Sequence, residues 1–299
     1  MYIEPAYAPV CVCFACDNNY APYLGVTIYS MLHNANTDRY YDILIMHNRI
    51  KEEHQHYLQK VGALFSHATL RLIDVSAFDN LVKDRVLTYI TSATNYRLFL
   101  LGDMFAKYHR MLYLDCDMVV TGDIAPLYDM DLEGNAIGAV EMAEARYFCY
   151  AKKAIMFDGM PYNFTNYKNQ VLKLENPEFY FNAGMVLFDL DRCREMTNEK
   201  EALRVLNEAK YHYNDQDVLN ILFNTSVKPL DFIWNYAINI PMYHEIKNEA
   251  VQKLFANTLR EDFVVIHYNG GEKPWMGEVP MGEHYNVYAG KLKAPLYKV

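Results

Sequence analysis

Two aspartates one residue apart interrupt an apolar run at Met111-Leu-Tyr-Leu-Asp115-Cys116-Asp117-Met-Val-Val120. A β-prone run of this kind reads as a buried central strand, and carboxylates at its C-terminal end fall where open α/β sheets bind ligands. If the backbone stays extended, Asp115 and Asp117 point to the same side. If it turns there, both can still converge on one cation. Two buried like charges are costly unless a metal or a hydrogen-bonding ligand compensates them. A pair of solvated turn aspartates has the same sequence, so the motif needs company.

Three more clusters supply it: Asp17 with Asn19, Asn182 with Asp215 and Gln216, and His267 to Trp275. Neutral histidine binds a divalent metal through one ring nitrogen. Two carboxylates and one imidazole suit an octahedral Mn²⁺- or Mg²⁺-like ion that keeps positions open for substrate phosphates. Gly270 and Gly271 let backbone approach a phosphate, and Lys273 can supply a countercharge. Taken singly, each cluster has a structural explanation. Acidic residues at Asn214-Asp215-Gln216-Asp217 suit a helix N-terminus, worth roughly 0.3–1 kcal/mol each. Asn182-Ala-Gly184 fits a tightly packed strand.

The elements that position these residues alternate along the chain. Val10 to Cys16 reads as a first strand, followed by a polar loop with Asn19 as helix N-cap and Pro22 in the first helical turn. Strands are predicted over Tyr41–Met46, Leu70–Val75, Ile137–Glu141, Phe179–Phe188 and Phe263–Ile266. Helices are predicted over Lys51–Val61, Thr94–Phe105, Glu199–Lys210 and Val218–Phe223. Residues 145–178 are mixed, aromatic and lysine-dotted, and fit a mobile flap as well as any fixed element. The alternation predicts an α/β fold with a mostly parallel sheet and right-handed crossovers. Without a repeat or linker-like break, a single domain is expected, with a C-terminal portion folded onto the sheet.

Composition narrows the function. The chain has 299 residues, 52% hydrophobic, with a net charge of −9, which argues against nonspecific nucleic-acid binding. The 26 tyrosines mostly serve as amphipathic core and surface, and some could face a sugar or nucleotide. No apolar run reaches membrane-span length, and residues 1–10 lack the basic start and apolar core of a signal peptide. The six cysteines match neither a disulfide framework nor a set of Cys-x-x-Cys pairs, so reduced thiols and a cytoplasmic location are expected.

In order, the chain carries Ala15-x-Asp17-x-Asn19-Tyr20, Asp115-x-Asp117, Phe181-Asn182-Ala-Gly184, Asp215-Gln216-Asp217 and His267-x-x-Gly270-x-x-Lys273-Pro274-Trp275. This series resembles glycosyltransferase family 8, which holds glycogenin and bacterial lipopolysaccharide galactosyl- and glucosyltransferases. The likeness runs from about Val10 to Trp275 and looks closest to the bacterial branch. It implies a GT-A type, Rossmann-like domain over residues 1–275 with a tail over 276–299. It also implies transfer of a hexose from UDP-galactose or UDP-glucose to a glycan or glycolipid acceptor, with retained α configuration and Mn²⁺ (or Mg²⁺) as metal. Asp115, Asp117 and His267 match the metal ligands, with Cys116 between the two aspartates. Ala15, Asp17, Asn19 and Tyr20 match uracil and ribose contacts, and Gly270 and Lys273 match diphosphate contacts. Arg97, Asn182, Asp215 and Gln216 match positions around the donor sugar. Glu141 falls near a position where related enzymes have an aspartate. Lys291, Lys293 and Lys298 are a sparse trace of the basic tail of bacterial relatives and imply at most weak peripheral membrane contact.

Two other readings stay open in sequence. Asp115-x-Asp117-x-Val119 fits the Asp-x-Asp-x-Val pattern of haloacid-dehalogenase-like phosphatases, although more than 100 residues precede it. A sugar-nucleotide-binding module that has lost activity would keep much of the same polar set.

Overall fold

β1 (Val10–Cys16) is buried along its whole length, as expected of a strand covered on both faces. It is flanked by β2 (Tyr41–His47) and β4 (Arg110–Leu114), both parallel to it, and β3 (Ala68–Asp74) continues the sheet beyond β2. On the other side, β9 (Phe181–Asp189) runs antiparallel to β4 and to β6 (Ile137–Glu141), and β10 (Val227–Leu230) closes the edge parallel to β6. The seven-stranded order is β10-β6-β9-β4-β1-β2-β3, so β9 alone runs against the rest. The computed structural model describes residues 2–6, 9–81 and 92–292. Lys293 and Lys298 of the basic trace lie outside the described residues.

A second, smaller sheet decides where the chemistry sits. The run predicted as one strand breaks at Asp115–Asp117, and β5 (Met118–Val120) leaves the main sheet. It pairs antiparallel with β12 (Val265–His267), which also pairs with β11 (Tyr236–Ala237). The late strand predicted over Phe263–Ile266 therefore belongs here, not to the main sheet. Its register places His267 opposite Met118, one residue from Asp117, and the Tyr268 amide donates to the Asp117 carbonyl at 3.0 Å. Sequence distance of about 150 residues is thus closed by three ladder pairs.

Apolar side chains pack on both faces of the main sheet. Val10, Val12 and Phe14 of β1 contribute to one cluster with Leu24, Ile28 and Met31 of the helix Ala21–His33. Cys11, Cys13 and Ala15 contribute to the other with Tyr96, Leu98 and Phe99. The described cysteines are all free thiols.

Three sequence expectations change in detail. Residues Ser92–Leu101 form a tight 3₁₀ helix, followed by a short one at Asp103–Phe105, instead of one α-helix over Thr94–Phe105. Nearly every residue there is buried, so no solvent-facing stripe favours the 3.6-residue repeat. Asn19 is not the N-cap of the first helix: Tyr20 occupies that position without a capping side chain. The Asp17 carboxylate instead accepts the amides of Asn19 and Tyr20 at 2.9 Å, closing the turn that leads into the helix. The segment 145–178 is packed around its own apolar cluster of Ile155, Phe164, Tyr167 and Tyr180. It contains the hairpin of β7 (Ala154–Phe157) and β8 (Met160–Asn163).

Near the C-terminus, the helix Gly282–Leu292 packs on the first helix, where Asn34 donates to the Tyr288 hydroxyl at 2.7 Å. No helix among the described residues is long and apolar enough to cross a membrane.

Candidate active site

The strand ends of the main sheet open into one cavity of about 430 Å³. Ala15, Asp17, Tyr20, Arg97, Asp115, Cys116, Asp117, Asn182, Asp215, Gln216, His267, Gly270 and Lys273 all line it. Asn19 and Glu141, also singled out in sequence, do not. Asn19 is exposed, its amide tied into the Asp17 turn. Glu141 is paired with Arg146 at 2.9 Å, and Arg146 is held in turn by the Leu254 carbonyl. The buried carboxylate that does reach the cavity from this region is Glu144, whose Oε1 accepts the side-chain amides of Asn239 and Asn269. Sequence pattern gave no signal for it, because its neighbours arrive from segments about 95 and 125 residues away.

At the centre, one oxygen from each aspartate and a ring nitrogen of His267 lie within 4.8 Å of one another. His267 Nε2 is 3.4 Å from Asp117 Oδ1 and 3.8 Å from Asp115 Oδ2. The loop between the aspartates is pinned from both sides. The Asp115 amide donates to the Gly184 carbonyl at 2.8 Å, Thr27 donates to the Cys116 carbonyl at 2.8 Å, and the Cys116 thiol donates to the Ala15 carbonyl at 3.1 Å. Cys116 is thus a buried strut with its backbone and thiol both engaged.

The donor set fits a divalent cation. His267 Nδ1 faces Asn235 Oδ1 at 2.9 Å, and Asn235 uses its amide nitrogen on Asn182. An amide oxygen only accepts, so Nδ1 carries the hydrogen, and in the neutral ring Nε2 turns a lone pair toward two carboxylates. Three acceptors facing one another without a hydrogen between them are what a metal requires and what a purely structural cluster avoids.

Two buried cations share the rest of the negative charge. Arg97 donates from Nη2 to Asp115 and pairs through Nε with Asp215, each at 2.8 Å, and it stacks 4.2 Å over the Tyr113 ring. Lys273 pairs with Asp117 and donates to the Tyr268 carbonyl at 2.6 Å. Three carboxylates therefore face two cations, leaving one negative charge for an incoming ion to meet. Burial pulls the Asp117 carboxyl up, but the Lys273 ammonium, joined by His267 whenever its ring is protonated, outweighs it and holds the group well below the usual carboxylate range. Burial pushes Asp215 up to about 6, even with Arg97 beside it.

Removing the guanidinium strands two carboxylates in a site only 3% exposed at Arg97. Replacing Arg97 with Leu is expected to cost about 3–5 kcal/mol of stability, the range for breaking a buried ion pair from one side. Urea denaturation followed by circular dichroism measures it; a change below about 1 kcal/mol would show that the two aspartates do not need this partner.

The turn after β12 carries the remaining groups. Gly270 has φ +83°, in the left-handed region that favours glycine. Trp275 stacks on Tyr23, centroids 4.0 Å apart and 8° between planes, and meets Tyr20 edge-on at 5.9 Å. Trp275 thus supports the wall of the cavity from behind, instead of lining it.

Residues 11–278 match the family model described as Glycosyl transferase family 8. The chain belongs to glycosyl transferase family 8. Across the whole family-8 chain, sequence and structure comparisons agree. It is 26% identical over 287 residues to General stress protein A of Bacillus subtilis, covering 93% of this chain and 92% of that protein. It is 29% identical over 275 residues to the lipopolysaccharide 1,2-glucosyltransferase of Escherichia coli, covering 88% of this chain and 72% of that one. The solved apo structure of the bifunctional glycosyltransferase WbbM superposes with a TM-score of 0.86 at 27% identity, over 99% of this chain and 53% of that chain. The architecture is the GT-A type, and the family's members are UDP-sugar hexosyltransferases. The phosphatase alternative is overturned: the family model spans the motif and both flanks, and the motif follows β4, not the first strand.

Proposed function

We propose that this glycosyltransferase moves galactose or glucose from the UDP-hexose to a hydroxyl of a glycan or glycolipid, with Mn²⁺ as the metal and retention of the α configuration. The observation that carries the reading is the convergence of Asp115, Asp117 and His267 beside Asn182, Asp215 and Gln216 in one cavity.

Strand order supports a layout for the donor. Moving along the sheet, the cavity meets Ala15 and Asp17 at the end of β1, then Asp115 to Asp117 at the end of β4. It next meets Asn182 to Gly184 at the start of β9, then Met142 and Glu144 just past β6. With neighbouring strands about 4.8 Å apart, nucleoside, diphosphate, donor sugar and acceptor follow in that order. The acceptor then sits on the Glu144 side, where Phe148, Lys153 and Tyr243 also line the wall. A carboxylate, amides and aromatic rings are the groups that hold sugar hydroxyls and ring faces.

Asp115, Asp117 and His267 would hold a divalent ion, which would offset the charge that develops on the leaving diphosphate. Lys273 and the Gly270 turn bind the same phosphates. Arg97 holds Asp215 in place under the sugar, and Gln216 is fixed by the Ala183 amide at 3.1 Å. Gln216 is a poor nucleophile, and Asp215 is engaged with Arg97, so the favoured course is attack by the acceptor hydroxyl on the face the UDP leaves. The proton passes to the departing phosphate. A covalent sugar adduct trapped on Gln216 or Asp215 of the wild-type protein would refute that course.

The deciding experiment is UDP release from UDP-galactose and UDP-glucose with Mn²⁺, Mg²⁺ or EDTA. Release with metal and none with EDTA is expected. No release from any UDP-sugar would favour the inactive binding module. In parallel, UDP at about 100 times its dissociation constant, with Mn²⁺ already saturating, should add roughly 2.7 kcal/mol to stability beyond the metal alone. A melting curve unmoved by the pair would count against the site.

A further inference from the structure

Asn235 lies outside the motifs that define the site, yet it touches both halves of it. It is 4% exposed and directly precedes β11, whose Ala237 pairs with His267. Its Oδ1 faces His267 Nδ1 at 2.9 Å, and its Nδ2 donates to Asn182 Oδ1 at 2.9 Å.

The orientation of every amide in this chain of bonds follows from two backbone N–H groups. The Gly184 amide donates to Asn182 Oδ1 at 2.9 Å, so the oxygen of Asn182 faces that way and also receives Asn235. Asn235 must then present nitrogen to Asn182 and oxygen to His267. In the other direction, Asn182 Nδ2 donates to Gln216 Oε1 at 3.3 Å, an oxygen that already accepts the Ala183 amide at 3.1 Å. Gln216 Nε2 therefore faces the Tyr180 hydroxyl at 3.1 Å, and Tyr180 donates onward to Asp217 at 2.6 Å. A flipped amide anywhere in the chain would set oxygen against oxygen or nitrogen against N–H.

We infer that Asn235 is a positioning residue with two separable tasks, resting on the metal-dependent reading above. Its oxygen holds His267 in the tautomer whose Nε2 lone pair would serve the metal, and its nitrogen holds Asn182 so that the amide keeps one N–H on Gln216 and leaves the other for the donor-sugar side. The partner of a metal-bound imidazole's second nitrogen fixes ring orientation and tautomer, and losing it lowers metal affinity 10–100-fold. An aspartate at 235 keeps the acceptor for Nδ1–H but cannot donate to Asn182. A leucine keeps neither.

The test uses the full chain, with Mn²⁺ titrated alone by calorimetry and UDP-hexose hydrolysis measured separately. For Asn235→Leu the Mn²⁺ dissociation constant is expected to rise about 10–100-fold. For Asn235→Asp it should stay within about threefold of wild type. Turnover of Asn235→Asp at saturating Mn²⁺ should nevertheless fall about tenfold or more, the equivalent of roughly 1.4 kcal/mol. Circular dichroism confirms that each variant is folded. Wild-type Mn²⁺ affinity in a folded Leu variant would overturn the inference. So would an Asp variant that loses Mn²⁺ as completely as Leu, or one with full turnover; the Asp variant alone decides if the Leu variant does not fold. A wild-type protein that binds no Mn²⁺ would instead overturn the metal-dependent reading, and this inference with it.

Discussion

Substituting Asn for Asp117 is expected to abolish metal-dependent UDP release while the protein stays folded. Asn has the shape of Asp and keeps one oxygen, but it gives up the charge that Lys273 meets and that a cation held here would meet. The backbone carbonyl of residue 117 still accepts the Tyr268 amide, so the junction between the two sheets is untouched. Loss of the carboxylate removes the pair with Lys273 and also relieves crowding with Asp115, two effects of opposite sign on stability. Turnover has no such offset, because stabilisation of the leaving group by a bound metal is worth several kcal/mol. A fall of about 10³-fold or more is expected, about 4 kcal/mol. Calorimetric Mn²⁺ titration and UDP release measure the two halves. Near-normal release from this variant without added metal would contradict the assignment of Asp117 to the cation.

Much of the fold was legible because its strands are short apolar runs bounded by polar turns. β1, β2, β6 and β9 fall within a residue or two of where the pattern puts them, and the antiparallel entry of β9 is hidden only because strand direction leaves no local mark. The tight helix Ser92–Leu101 was misread as an α-helix for a related reason: a segment buried on nearly every side has no period to display. The branching of the Asp115–Asp117 run into a second sheet was not visible either. Met118, Val119 and Val120 are as apolar as Met111, Leu112 and Tyr113, and only the pairing with β12 separates them.

The site divides the same way. Residues whose types already suggest chemistry stood out: two carboxylates, a histidine, a glycine turn and a lysine. Residues that hold those groups in place did not. Asn235 and Glu144 carry no motif, and their roles come from contacts with residues that arrive from distant segments. Asp17 shows the intermediate case. It was found as a candidate ligand-facing residue, and it lines the cavity, yet one of its oxygens already closes the turn into the first helix.

Gly184 links this packing to catalysis, and Gly184→Ala is expected to be nearly as damaging as the loss of Asp117. A Cβ at this position would lie 2.4 Å from His267 Cε1 and 2.9 Å from both Asn182 Oδ1 and Asp115 Oδ2. None of the three can yield cheaply. His267 is tied to Asn235, Asn182 is held by the Gly184 amide itself, and Asp115 is paired with Arg97. The backbone is held on the β4 side, where the Gly184 carbonyl accepts the Asp115 amide at 2.8 Å. Overpacking of this kind typically costs about 1–3 kcal/mol. The larger effect is expected on metal affinity, since the clashes would displace His267 and Asp115, two of the proposed ligands. A shift of about 1 Å in such a site is worth roughly 10²-fold in rate. Gly271→Ala is the matching control: nothing lies within 4 Å of its Cβ, and it should behave as wild type in stability and Mn²⁺ titration. If Gly184→Ala matched wild type in metal affinity and UDP release, the close approach of β9 to the Asp115, Asp117 and His267 cluster would not be a requirement of the chemistry.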